Sequence, residues 1–127
     1  MTTTISENIK IEEVQELSAA MITFKGAVST DDYRQVMEAN YELSKKPEIN
    51  NWLQNNTDAG VLSLQDQQWV SNDLIPRAAQ EVDKIAVVVS KDVFRKFAAK
   101  NILDKQKGKL NFQYFNSLEE ARTWLKS

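Results

Sequence analysis

The chain has 127 residues, of which 42% are hydrophobic and 27% charged, with only three Gly and two Pro. That composition fits one folded domain spanning residues 1–127, in which residues 1–8 are expected to form a flexible N-terminus. Sixteen Lys and Arg against eighteen Asp and Glu leave a net charge of -2, so no global attraction to nucleic acid follows. Cysteine and histidine are both absent, which removes disulfides, thiolate and imidazole metal ligands and histidine-based triads, and leaves only carboxylate, Lys, Tyr or backbone chemistry.

The opening MTTTISENIK has neither a basic start nor an apolar stretch of signal-peptide length. No later run approaches the ~20 apolar residues of a membrane span. A cytoplasmic protein without integral membrane association, cofactor or metal is expected.

In chain order, IKIEEV (residues 9–14) and AAMITFKG (residues 19–26) read as an antiparallel hairpin. In its second strand Ala20, Ile22 and Phe24 share one face, and Met21, Thr23 and Lys25 the other, expected to be partly wet. From Ser29 the pattern changes to strands alternating with helices. Ser29 precedes Asp32, Ser63 precedes Asp66 and Ser117 precedes Glu120, each at the three-residue spacing of a capping box.

The first helix is predicted over residues 30–46, ending before Pro47. A strand runs through Trp52 and Leu53 into the polar stretch Asn55-Asn56-Thr57-Asp58. The second helix is predicted over 63–81, kinked or broken by Pro76, which has no N–H for the carbonyl of Asn72. KIAVVVS (84–90) reads as a central parallel strand buried on both faces. A helix over 91–104 turns Phe94, Phe97 and Ile102 inward and sets Lys91, Arg95, Lys96 and Lys100 outward. A strand LNFQYF (110–115) and a helix SLEEARTWLKS (117–127) complete the order β-β-α-β-α-β-α-β-α.

The strings FKGAVSTDDYRQV, WLQNNTDAGVLSLQDQQWVSNDLIPRA, KIAVVVSKDVF and FQYFNSLEEARTWL resemble the SpoIIAA-like group of the STAS superfamily, over about residues 9–126. The resemblance implies a single α/β domain with a mixed five-stranded sheet and about four helices. It also implies a non-enzymatic role: the best-understood relatives are anti-anti-sigma factors that bind a kinase and are switched by phosphorylation of a Ser at the head of the helix after the central strand. Here the matching stretch is Ser63-Leu64-Gln65-Asp66, which puts Leu64 at the phosphoacceptor position and argues that the phosphoswitch is missing. Where many relatives carry an Asp at the end of the preceding strand, this chain has Asn55.

Beyond the carboxyl ends of parallel strands, loops and helix starts usually meet ligands or partners. Asn55, Asn56, Thr57 and Asp58 are therefore candidates, against the plainer reading that Asn and Asp build turns. Ser63 with Asp66 is a phosphate-binding candidate or simply a helix cap. Ser90, Lys91 and Asp92 follow the central strand and are expected to lie beside the first loop, with Lys91 and Asp92 converging on one cleft or merely starting a helix. Trp69 is either core or a partner-facing aromatic, and the basic residues of the Phe94 helix with the loop Lys105–Lys109 form a local positive patch or simply a solvated helix end and turn.

The leading expectation is a non-catalytic bacterial regulatory or adaptor domain that binds another protein, or a second copy of itself as a homodimer, through residues 55–66 and 90–92. The alternative is a small apolar-ligand carrier or sensor with a pocket near Trp69, Phe94 and Phe97. An enzyme using Asp58, Asp66 or Asp92 with Lys91 is the third reading. Nucleic acid is not expected as a partner.

Overall fold

Period-two alternation of apolar side chains sets the N-terminal strands. In the computed structural model, which describes residues 2–60, 63–99 and 111–127, Thr2–Ser6 (β1), Ile9–Val14 (β2) and Ala19–Gly26 (β3) form an antiparallel meander. The β2–β3 hairpin occupies the expected residues, with Ile9 opposite Phe24 and Ile11 opposite Ile22. A 3-10 turn at Gln15–Leu17 joins its strands, and Ser18 takes the left-handed conformation at φ 49° that an Asn-Gly turn would otherwise supply.

β1 corrects the expectation of a flexible N-terminus. Residues 2–6 pair with β2 from Thr2 opposite Glu12 to Ser6 opposite Ile9, with an irregularity between Thr4 and Ser6. The stretch TTTIS is rich in β-branched residues, which fit a pleated strand.

Asn51–Ala59 (β4), Lys84–Val88 (β5) and Asn111–Phe115 (β6) then run parallel to β3, and the sheet order is β1-β2-β3-β4-β5-β6. The five strands and four helical stretches read from the sequence therefore occur in the expected order, within a mixed α/β sheet that β1 extends.

The helices begin where their caps were read. Ser29 accepts from the Asp32 amide at 3.1 Å at the head of Thr30–Leu43 (α1). Ser63 accepts from the Asp66 amide at 3.1 Å at the head of Leu64–Trp69 (α2). Ser117 accepts from the Glu120 amide at 3.3 Å at the head of Leu118–Lys126.

Pro76 neither breaks nor ends the second helix. The chain passes from α2 through a π-helical segment, Val70–Leu74, into Ile75–Ala78 (α3), and the Ile75 amide reaches back to the Val70 carbonyl. Widening the turn to i→i−5 just before the proline lets the helix continue past a residue without an N–H. Lys91–Ala99 (α4) covers the first part of the predicted 91–104 helix; residues 100–104 lie outside the described residues.

Because the strand order advances in one direction, crossovers of one hand place their helices on one face of the sheet. Tyr33, Val36 and Met37 of α1, Leu74 and Ala78 after α2, and Val93 and Phe94 of α4 all pack with Ile22, Trp52 and Ile85 in one core. The C-terminal helix Leu118–Lys126 (α5) covers the opposite face, where Ala121 and Leu125 bury Ala19, Met21, Leu53 and Val88.

That second layer corrects the expectation of a partly wet face on β3. Met21 is only 8% exposed, while Lys25, beyond the reach of α5, stays exposed. The order also contains no reversal, so the sheet lacks the topological switch point at which doubly wound folds open a ligand crevice.

Candidate functional site

The polar stretch Asn55–Asp58 belongs to a strand rather than to a loop. β4 continues to Ala59, beyond the end of its pairing with β5 at Asn55, by staying paired to β3. The register jumps from Thr23 opposite Asn55 to Lys25 opposite Asp58, so two residues of β4 bulge against one of β3.

Asn55 is half-buried, and its Oδ1 accepts from the Thr57 amide at 3.2 Å and the Thr57 hydroxyl at 2.7 Å. Thr57 and Asp58 are exposed. Oδ1 of Asn56 is enclosed and has no hydrogen-bond partner among the described residues. Gly60 closes the strand pair with a 2.8 Å bond from its amide to the Gly26 carbonyl.

Of the sequence-read candidates, the structure brings Asp66 and Trp69 together, and it adds two residues of α1 that sequence reasoning missed. Asp66 is 2% exposed. Its carboxylate accepts from the Thr30 hydroxyl at 2.9 Å and from Nε of Arg34 at 3.3 Å. The Arg34 guanidinium lies 5.0 Å above the Trp69 ring, and Trp69 meets Tyr33 edge-on at 6.3 Å.

Burial raises the Tyr33 phenol above the ordinary tyrosine range, and the smaller influence of Gln54 opposes it. A buried carboxylate holding two donors is satisfied rather than reactive. This cluster clamps the head of α2 to α1.

Ser63 remains the helix cap described above. Trp69 is half-buried and packs against the core, as does Phe94; the Phe97 side chain lies outside the described residues. Trp52 is the aromatic that is fully buried, at 1% exposure.

The α4 start does not join the α2 cluster. Oγ of Ser90 accepts from the Val93 amide at 3.3 Å, the capping role. Lys91 and Asp92 are both exposed, and Asp92 lies 3.9 Å from Arg95 of its own helix. The expected convergence of Lys91 and Asp92 on a cleft is therefore replaced by a solvated first turn, because i,i+3 neighbours on a helix meet more easily than groups on different elements. The Lys105–Lys109 patch lies outside the described residues.

One feature of this region was legible in the sequence and overlooked. Between Glu48 and Asp73 the chain carries no Lys or Arg, and its only acidic residues are Asp58 and Asp66. With Asp66 buried, the exposed residues of the helix between Leu64 and Asn72 are Leu64, Gln65, Gln67, Gln68, Ser71 and Asn72, all uncharged, and the exposed Asp73 follows them. Leu64 is 69% exposed and is the one exposed large hydrophobic among the described residues. Depletion of charge with an apolar centre is a compositional mark of protein-binding surfaces.

No helix among the described residues is long and apolar enough to cross a membrane. No curated protein matches the chain. The crystal structure of an uncharacterised protein from Shewanella loihica with a SpoIIAA-like fold superposes with a TM-score of 0.59 at 24% identity, covering 96% of this chain and 99% of that one, which shows a shared fold. The sequence model of the SpoIIAA-like family matches residues 19–126, which take in the four strands β3–β6 and the helices α1–α5, and the chain belongs to the SpoIIAA-like family.

Proposed function

We propose that this chain is a non-catalytic bacterial regulatory or adaptor domain that binds another protein through the uncharged surface at the head of α2, with Leu64 as its apolar anchor. The observation that carries this reading is the 69% exposure of Leu64 on a helix whose outward neighbours are Gln, Ser and Asn. A large apolar side chain costs about 1.5–3 kcal/mol of burial free energy forgone while it stays in water. The Asp66 clamp holds the anchor in place beforehand, which lowers the ordering cost of association.

Leu64 also stands where the resemblance to anti-anti-sigma proteins places a phosphoacceptor Ser. On this reading the docking position is kept, and a charge switch is replaced by constitutive apolar contact. The non-catalytic half of the reading is supported by Asp66, the one buried carboxylate among the described residues, whose two oxygens are engaged by Thr30 and Arg34.

Affinity purification from native cells with the wild-type chain and with Leu64→Glu tests the reading. A partner retained by the wild type and lost by the variant, at equal thermal stability, is the expected result. Identical sets of retained proteins would overturn it.

A further inference from the structure

The charges of this chain are segregated along its length. Residues 84–109 hold eight of the sixteen Lys and Arg residues and only two of the eighteen Asp and Glu. The remainder is correspondingly acidic, so the net charge of -2 conceals a strongly basic segment. Within the described residues that segment is β5 followed by α4. Val93 and Phe94 pack against the core beneath the helix, while Lys91, Arg95 and Lys96 are exposed on its outer surface. Asp92 is the one acidic residue between them, and among the described residues it pairs with Arg95 at 3.9 Å.

We propose that the outer surface of α4, presenting Lys91, Arg95 and Lys96, docks on an anionic lipid bilayer. This goes beyond the protein-binding reading and concerns a different surface from that of Leu64.

Two observations favour a bilayer over a nucleic acid or an acidic protein. The one exposed large hydrophobic among the described residues is Leu64 on α2, so the described side chains of α4 offer neither an aromatic platform for stacking bases nor the apolar anchor on which protein interfaces centre. Of the segment's described cations, Lys84 is engaged by the end of α5, and the other three are exposed on a single helix. Adsorption to a charged headgroup layer requires cations alone, each Lys or Arg near an anionic surface strengthening binding roughly five-fold. Such binding also weakens as salt shortens the range of the field.

The test is co-sedimentation of the full chain with vesicles of phosphatidylglycerol and phosphatidylcholine, and with vesicles of phosphatidylcholine alone, across a salt series. Two triple variants carry the same change of charge: Lys91→Glu/Arg95→Glu/Lys96→Glu on α4, and Lys25→Glu/Lys45→Glu/Lys126→Glu elsewhere. All six positions are exposed, so both variants are expected to fold, and circular dichroism checks that they do.

The expected result is binding to the anionic vesicles only, lost with rising salt, reduced roughly 100-fold or more in the α4 variant by the loss of three such contributions, and largely kept in the control. No binding to anionic vesicles at low salt overturns the proposal, as does an equal loss in both variants. Displacement of bound protein from the vesicles by duplex DNA at equal charge concentration assigns the surface to nucleic acid and overturns the lipid assignment.

Discussion

The Thr30 hydroxyl donates a 2.9 Å hydrogen bond to Oδ2 of Asp66, a residue 36 positions away. With Nε of Arg34 on Oδ1, that bond ties the first turn of α1 to the first turn of α2. It fixes the stretch of chain that presents Leu64. Each oxygen of the buried carboxylate is engaged by its own donor, so the cluster works as a clamp.

Breaking the clamp has a stability cost. Asp66 is buried, whereas the Arg34 side chain is 37% exposed and can be rehydrated, so Asp66→Ala is expected to cost about 2 kcal/mol, below the 3–5 kcal/mol typical of a fully buried pair. Asp66→Asn keeps an acceptor for Thr30 and should cost about half of that. Urea denaturation measures both, and a cost of Asp66→Ala within about 0.5 kcal/mol of zero, the range of ordinary surface changes, would remove the clamp from the account.

Gly60 allows the close approach that ends the β3–β4 pair. A Cβ placed there would stand 3.0 Å from the amide nitrogen of Ala27 and from the carbonyl carbon and oxygen of Gly26, all backbone atoms. Gly26 itself has φ +64°, so its peptide cannot easily swing aside. Gly60→Ala is expected to destabilise by about 1–3 kcal/mol through overpacking. Amide hydrogen exchange should accelerate first at Lys25–Ala27 and Asp58–Gly60, and unchanged exchange there would contradict the geometry.

The Glu38–Arg77 pair gives a pH dependence with a definite sign. Both Nη atoms of Arg77 donate to Glu38, and Asp73 accepts from the same guanidinium at 2.9 Å. The Arg77 hydrogen bond holds the Glu38 carboxyl below its ordinary pKa. A carboxyl lowered in the folded state adds stability in full above its unfolded pKa of ~4.3, and that stability disappears as pH falls through the lower folded value. Glu38→Gln should therefore lower the melting temperature at pH 7 by the equivalent of ~0.5 kcal/mol, the scale of a partly exposed pair. The difference from wild type should close at acid pH, below both pKa values. A difference that persists or widens in acid would reverse the sign.

Local signals were the legible part of this fold. The three serine caps, the β2–β3 hairpin and the buried run of β5 depend on neighbours within a few positions, and each is found where its residues stand. Strand β1 carried a β-branched signal that its terminal position obscured. The π-helical passage before Pro76 was not legible, because a proline breaks one hydrogen bond without revealing whether packing on both sides will hold the helix together.

The Asp66 clamp was hidden for a different reason. Its partners Thr30 and Arg34 lie 36 and 32 positions away, and their proximity follows from the one-directional order of the sheet, which puts α1 and α2 side by side. The same order does set the end of β4 beside the end of β5, with Asn55 opposite Val88; what did not form is the cleft between Lys91 and Asp92, which are both exposed. The run from Ile49 to Asn72, free of Lys and Arg and acidic only at Asp58 and Asp66, could have been read from the sequence, yet only the burial of Asp66 shows that the outer surface of α2 is uncharged.

The most direct measurement is the affinity of a purified partner for the wild-type chain, Leu64→Ala and Leu64→Glu, by titration calorimetry. If Leu64 is the anchor of the docking surface, the alanine variant binds about 30-fold more weakly, the equivalent of a ~2 kcal/mol hot spot, and the glutamate variant more weakly still. Affinities of all three within a factor of two would contradict the account.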